Sequence, residues 1–475
     1  VVFTLYLAVF AGKRMSGRKW RGLFISYVIG ALIALPLVIA VLTNPNLQFR
    51  VSEVSEPLDK ALQGDTREVM DNIPRAFGMF TQQGDNTVRD NWPDRPVFPE
   101  SIVALLFMVG FFVALTRFTQ PRYALCVIWI GAMLVPTIVT TGAPNFTRTL
   151  GALPMVFAMP GIAVEWLSIW PLRMFVMEYA QAIGRVLKPI ALAALLVVFG
   201  INAVSTYQDY FVKWPNHPET QFVFQADFAA IAKDIDASDV LDVSVGGLSN
   251  DTLDDPSLYL LRQRKDVRVR WFDSGSPISS GGAILLPSGG PGRVYVPSIV
   301  PVALSLMDAT KGWIADQIQT DHFLRFYASI AFADPISLLV GAARRFDGFG
   351  DFLPEGTHLP AQVAAGSELQ LITQWAALRP TNSPRRIFVH LVDPSVGRPI
   401  AQHDGLDSPP RFWQFADWLY QQHNLVIPPD TPSGRYELWL GIYDPTTGTR
   451  IMQTNQSGTE SLTDHFVLGT IEVTR

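Results

Sequence analysis

The chain has 475 residues, a formal net charge of -5, 48% hydrophobic residues and a positive mean hydropathy, values that speak against a wholly water-soluble protein. No basic stripe of the kind a nucleic-acid surface needs is present, so nucleic acid is set aside as a partner. The single cysteine, Cys126, lies inside an apolar run, which leaves no disulfide framework or cysteine-based zinc site and makes it a packing residue.

The chain opens within an apolar run, 1–11, with no initiating Met and no basic flank of a signal peptide, and so reads as a fragment of a longer protein. A bilayer core of about 30 Å takes roughly 20 apolar residues in a helix. Five further runs answer to this: 22–42, 101–115, 123–141, 150–167 and 189–204, essentially free of charge, with Glu165 only at an end. Lys and Arg mark cytoplasmic loops. Lys13, Arg14, Arg18, Lys19 and Arg21, then Arg117 and Arg122, then Arg173, Arg185 and Lys188, alternate with the spans as that rule requires. Segments 43–100 and 142–149, and everything after Tyr207, are therefore expected outside, with Trp166, Trp170, Tyr207, Tyr210 and Trp214 in the interfacial belt.

Two of these outer segments have the chemistry for an anionic, lipid-linked substrate. In DNIPRAFGMFTQQGDNTVRDNWPDRPVFP, Arg75, Arg89 and Arg95 interleave with aromatic and apolar residues, and an arginine fork suits phosphate oxygens. The same pattern also describes an interfacial helix whose arginines pair with Asp71, Asp85 or Asp90. In GAPNFTRTLGALP, Arg148 stands where two spans meet in a tight turn; a charge at that depth marks either a partner or a snorkelling side chain. Asn145-Phe146-Thr147 fits the glycosylation triplet, a pattern that also arises by chance.

From about residue 217 the texture becomes that of a soluble protein. Helical spacing at 224–235, 257–264 and 302–309 alternates with strand-like runs at 240–245, 267–272, 282–286 and 293–296, the succession of a small α/β layer. The glycine-rich stretches 279–282 and 288–292 match no phosphate-binding loop and read as turns. After 346 the pattern is all-β, with strands at 368–376, 386–392, 400–403, 424–427, 435–443 and 466–473 between Pro, Gly, Asn and Asp clusters, the rhythm of a jelly-roll-like sandwich. Trp375 and Trp439, set mid-strand, read as core. Trp413, Trp418 and Tyr420 fall in a longer connection, where they serve either as core or as a sugar-stacking face. The seven histidines show no metal-ligand spacing, and His403-Asp404-Gly405 reads as a turn.

The expected architecture is thus a multi-domain chain: a transmembrane helical bundle (1–215), a small α/β domain (216–345) and an all-β sandwich (346–475), the last two outside the cytoplasm of a multi-pass plasma-membrane protein. On NIPRAFGMFTQQGD, NWPDRP and APNFTRTLGALP, the layout of about residues 1–210 resembles the C-terminal part of bacterial GT-C membrane glycosyltransferases, the family 39 and protein O-mannosyltransferase-like group. FVHLVD, AQHDG and GRYELWLGIYDPTTG look like β-domains appended to such proteins. The resemblance implies transfer of a sugar from a polyprenyl-phosphate donor to a glycan or protein acceptor at the outer membrane face. It also implies an acidic general base in a first external loop, which the fragment reading puts upstream, so no catalytic residue is named. Arg148 would then be the lipid-phosphate partner, followed by Arg75 and Arg95, with no cofactor and no metal indicated. The competing readings are a non-enzymatic membrane anchor that displays a carbohydrate-binding sandwich, and a polysaccharide polymerase or flippase-like protein.

Overall fold

The computed structural model describes residues 4, 6–7, 10, 16–44, 54–174, 177–248, 254–275, 281–288, 292–300, 302–328, 344–346, 348–354, 357–454 and 463–475, without the side chains of 168–188, 191 and 195. Most of the apolar run 1–11 lies outside them, as do Lys13, Arg14, residues 276–280 and 289–291, and the side chains of Trp170, Arg173, Arg185 and Lys188. The chain divides into two compact units, Val1–Phe224 and Gln225–Arg475.

The first unit is helical. Its elements are α1 (Gly17–Thr43), α2 (Glu56–Leu62), α3 (Arg67–Gly78), α4 (Ser101–Thr116), α5 (Pro121–Ile138), the single turn α6 (Phe146–Thr149), α7 (Leu153–Met174) and α8 (Met177–Tyr207), which continues as a π-helical stretch, Gln208–Lys213. Each of the five charge-free runs is helical, because a segment without alternation or turn residues satisfies its backbone internally. Among the described residues four helices are long and apolar enough to cross a membrane, Gly17–Thr43, Pro121–Ile138, Phe146–Leu167 and Leu192–Lys213; α4 is apolar but shorter, at 16 residues. Helices α4 and α7 touch backbone to side at Gly110, where an added Cβ would lie 1.9 Å from the Met159 carbonyl oxygen. Only glycine permits that approach. The core of the unit gathers Met79, Phe80 and Phe98 from the long α3–α4 connection onto Phe107, Tyr123, Ile130 and Val156 of the helices.

The second unit is β-rich, with three sheets among the described residues. After α9 (Pro218–Val223), the last helix of the first unit, it opens with α10 (Ala226–Asp236), then β1 (Asp242–Gly246), α11 (Asp255–Leu261), β2 (Arg268–Phe272), β3 (Gly281–Leu286), β4 (Gly292–Pro297), α12 (Leu304–Thr310), β5 (Ile314–Gln319) and β6 (Phe323–Ala328). Then follow β7 (Arg344–Phe346), β8 (Gly350–Leu353), β9 (Gln362–Ala364), β10 (Glu368–Ala377), β11 (Arg386–Asp393), β12 (Arg398–Gly405), β13 (Trp418–Val426), β14 (Gly434–Tyr443), β15 (Gln453–Thr454) and β16 (Phe466–Thr474). The first sheet runs β2-β1-β4-β6-β5, parallel across β2, β1 and β4 and antiparallel beyond. The other two, β15-β7-β8-β10-β13-β3 and β12-β11-β14-β16-β9, share one apolar core containing Leu371, Trp375, Val389, Leu391, Leu438 and Leu440.

Three sequence expectations are corrected. Strand β3, expected in the α/β layer, pairs antiparallel with β13 from Leu286↔Trp418 to Gly281↔His423, so this sheet spans the boundary expected at 345/346. Residues 314–319 and 323–328, given no element, form a β-hairpin at the edge of the first sheet. Residues 418–420, read as part of a connection, open a strand: both faces of β13 are buried, which removes the alternation that marks a half-exposed strand. Arg270, 1% exposed, joins the layers, donating through Nη1 to Asp242 and through Nε to Asp417, both at 2.6 Å.

Candidate functional site

In the helical unit the α3–α4 connection folds back on itself and contacts the start of α6 and the π-helical continuation of α8. Gly84 N donates to the Asp94 carbonyl, and Val97 N and Phe98 N donate to Met79 O and Phe80 O. A Cβ on Gly84 would lie 1.9 Å from the Arg95 carbonyl oxygen, so the crossing needs glycine. Asp85, 1% exposed, accepts from Thr87 N at 2.8 Å and Phe146 N at 2.9 Å, tying the loop to the turn that starts α6. On the other side Trp214 Nε1 donates to Val88 O at 2.8 Å, and Tyr210 OH donates to Asn91 Oδ1.

Among the described residues, this arrangement borders a pair of clefts with different linings. One, of about 320 Å³, is largely apolar: Met79, Phe80, Val97, Phe146, Leu150, Leu153 and Phe157 line it, with polar groups from Asp90, Asn91, Arg95, Thr149, Asn202, Thr206 and Tyr210. The other, of about 520 Å³, is polar and shares no lining residue with the first; Arg75, Gln82, Gln83, Asn86 and Asp94 line it together with the 142–144 turn. Asp94 and Arg95, neighbours in sequence, line different clefts because Asp94 takes a left-handed conformation, φ 59°.

The three arginines singled out in the sequence end in three different environments. Arg148 is half-buried and lines neither cleft. Its Nη1 donates to Thr140 Oγ1 at 2.7 Å and to the Thr141 carbonyl at 2.5 Å, while Asn72 Nδ2 donates to the carbonyls of Ile138 and Thr140. Together they satisfy carbonyls that the end of α5 leaves unpaired, and the positive guanidinium complements the helix dipole there. Arg95 is 8% exposed, lines the apolar cleft, and is neutralised by Asp209 at 2.8 Å, with Thr206 at 2.9 Å and the Tyr210 ring beneath it. Arg75, at the last turn of α3, is exposed, lines the polar cleft, and its side chain makes no hydrogen bond or ion pair among the described residues. Arg89 pairs with Asp90 at 3.3 Å. The Asn145 side chain caps α6, accepting from Arg148 N at 3.1 Å and Thr147 Oγ1 at 2.6 Å, which gives the glycosylation-like triplet a helix-starting role.

The sugar-stacking expectation for the β-rich unit is corrected. Trp413, Trp418 and Tyr420 are 1%, 4% and 1% exposed and belong to the sandwich core, so no ring face is open to a glycan. Trp439 is half-buried instead, with its ring stacked on His465 at 4.1 Å. Scanned against family models and curated proteins, the sequence finds no match.

Sequence reading missed a buried polar network. Trp375 Nε1 donates to Thr373 Oγ1 at 2.9 Å, and the Thr373 hydroxyl donates to Gln421 O at 3.3 Å. With its proton spent, Thr373 accepts from His423 Nε2 at 3.0 Å, so His423 Nδ1 is the acceptor for His403 Nδ1–H, also at 3.0 Å. His423 is therefore neutral, and burial lowers the pKa of both imidazoles, that of His423 well below the usual range. Next to them Asp407 accepts from Gln421 Nε2 at 2.6 Å, and burial lifts its carboxyl to about 6. Among the described residues no group of three or more His, Cys, Asp or Glu is placed to hold a metal ion. Every donor of the His–Thr–Trp chain has an acceptor, which makes the network a device for fixing the register of the two facing sheets.

Proposed function

We propose that this chain is part of a multi-pass membrane glycosyltransferase that moves a sugar from a polyprenyl-phosphate donor to an acceptor at the extracytoplasmic face. In this reading the helices cross the membrane in alternation and the β-rich unit, as an α/β domain followed by a sandwich, lies outside. The observation that carries the proposal is the 320 Å³ cleft, in which aliphatic and aromatic side chains from three helices meet the buried Arg95. An isoprenoid chain suits such a wall, and a phosphate oxygen can accept from Nη1 of a guanidinium that Asp209 and Thr206 hold in place through Nε and Nη2. Arg148, anchored through Nη1 alone, keeps Nε and Nη2 for an anion at the outer turn, and Arg75 serves the neighbouring polar cleft. These cations act by stabilising negative charge on the departing lipid phosphate, the kind of term that contributes most in a site with little water.

The membrane-anchored carbohydrate-binding alternative is weakened by the burial of Trp413, Trp418 and Tyr420, the rings on which it rested. The test is transfer of labelled sugar from a polyprenyl phosphate by membranes that contain the protein, compared with a Leu153→Trp variant that fills the apolar cleft. Transfer at least tenfold lower in the variant, at equal protein level, supports the proposal; an undiminished rate refutes it.

A further inference from the structure

We propose that the polar cleft is an acceptor subsite for a saccharide carrying one anionic group, a carboxylate or a phosphate. The inference rests on the proposed transferase activity for its role as acceptor site, and on the cleft's own chemistry for its ligand. At about 520 Å³ the cleft falls within the ordinary range of ligand pockets. Its apolar lining is limited to Pro74, Ala143 and Pro144, with no aromatic ring, so it suits a water-soluble ligand rather than an isoprenoid. Arg75, Gln82 and Asn86 are exposed there and their side chains make no hydrogen bonds among the described residues, which leaves the side-chain donors and acceptors for a ligand.

The charge balance narrows the choice. Arg75 offers a planar fork for one carboxylate or phosphate. Asp94, however, lines the same cleft and opposes a bare anion, so the two charges cancel and a simple phosphate gains little. Asp94 Oδ1 is held by Gln83 Nε2 at 3.0 Å, and its other oxygen can accept from a hydroxyl. Carboxamides that donate and accept, beside a carboxylate, match the paired hydroxyls of a sugar ring. A sugar with one negative substituent satisfies both halves: the substituent on Arg75, the hydroxyls on Gln82, Asn86 and Asp94.

The experiment titrates the purified full chain in detergent with methyl glucuronide, glucose 1-phosphate, methyl glucoside, inorganic phosphate and a short-chain isoprenyl phosphate. The anionic sugars should bind at least tenfold more tightly than methyl glucoside or inorganic phosphate. Arg75→Gln should erase that preference, while Gln82→Leu and Asn86→Leu should weaken sugar binding at least threefold; all three side chains are exposed, so the fold should tolerate each change. Equal binding of methyl glucoside and methyl glucuronide, an unaffected Arg75→Gln variant, or no sugar binding at all would overturn the assignment. Competition between isoprenyl phosphate and methyl glucuronide would also overturn it, by giving the cleft to the donor head group. Binding that follows these expectations without any sugar transfer would sink the transferase reading and leave the cleft's ligand class standing; transfer indifferent to Arg75 would do the reverse.

Discussion

Replacing Arg95 by Met separates a structural lock from a surface charge. The Arg95 side chain is 7% exposed and donates to Asp209 at 2.8 Å and Thr206 at 2.9 Å. Removing one member of a buried pair costs about 3–5 kcal/mol, because the remaining charge is stranded. Asp209 keeps Lys213 at 2.7 Å, but Lys213 is 55% exposed and its attraction is screened by solvent. The expected loss is therefore at the lower end, about 3 kcal/mol. Asp209→Asn strands Arg95 in turn and should cost a similar amount, while the double variant should lose less than the sum of the two by about 2 kcal/mol, as contacting residues do. The measurement is denaturant unfolding of the purified protein in mild detergent, followed by tryptophan fluorescence. A loss below about 1 kcal/mol for Arg95→Met, or strict additivity in the double variant, would refute the reasoning.

Three further outcomes follow from the geometry. Gly110→Ala should loosen the α4–α7 crossing by about 1–3 kcal/mol or more, since its Cβ meets backbone rather than a side chain that can turn away, and Gly110→Val should leave little folded protein on size-exclusion chromatography. Trp413→Ala should lower the stability of the β-rich unit by about 3–5 kcal/mol while leaving glycan retention on affinity electrophoresis unchanged. For Asp407, the folded carboxyl holds its proton up to about pH 6 whereas an unfolded one releases it near pH 4, so stability falls as pH rises through that window, by up to about 3 kcal/mol. His403 and His423 act in the opposite sense, since the unfolded chain takes up protons as pH falls below about 6.5. Asp407→Asn should remove the carboxyl's share and leave a melting temperature that declines more steeply on acidification; an unchanged pH profile would contradict the burial argument.

The helical runs were legible because a helix apolar enough to cross a membrane carries that property in consecutive residues. Strands β10, β11 and β14 were legible because their alternation survives at least along part of their length. Strand β13 was legible only at its end, from 424, since Gln421, Gln422 and His423 are polar yet 0%, 3% and 0% exposed, and only partners far away in sequence make that burial tolerable. The same applies to the clefts. The sequence put Arg148 ahead of Arg75 and Arg95 as a phosphate partner; their different environments depend on Asp209, 114 positions from Arg95, and on the carbonyls left open at the end of α5. The two rings with the clearest sugar-stacking look, Trp413 and Trp418, are those the sandwich needed most as filler.

Strand β3 waits for a partner that is made more than 130 residues later. At translation rates of about 5–20 residues per second, its six-residue apolar edge emerges on the order of ten seconds before β13 exists to cover it. Completion of that sheet is therefore a late, non-local event, and a chain released early would present GGAILL to its neighbours as an open pairing edge. A shortened polypeptide starting at residue 346 would have the mirror-image defect, with β13 as the bare rim, and should self-associate where the whole β-rich unit does not.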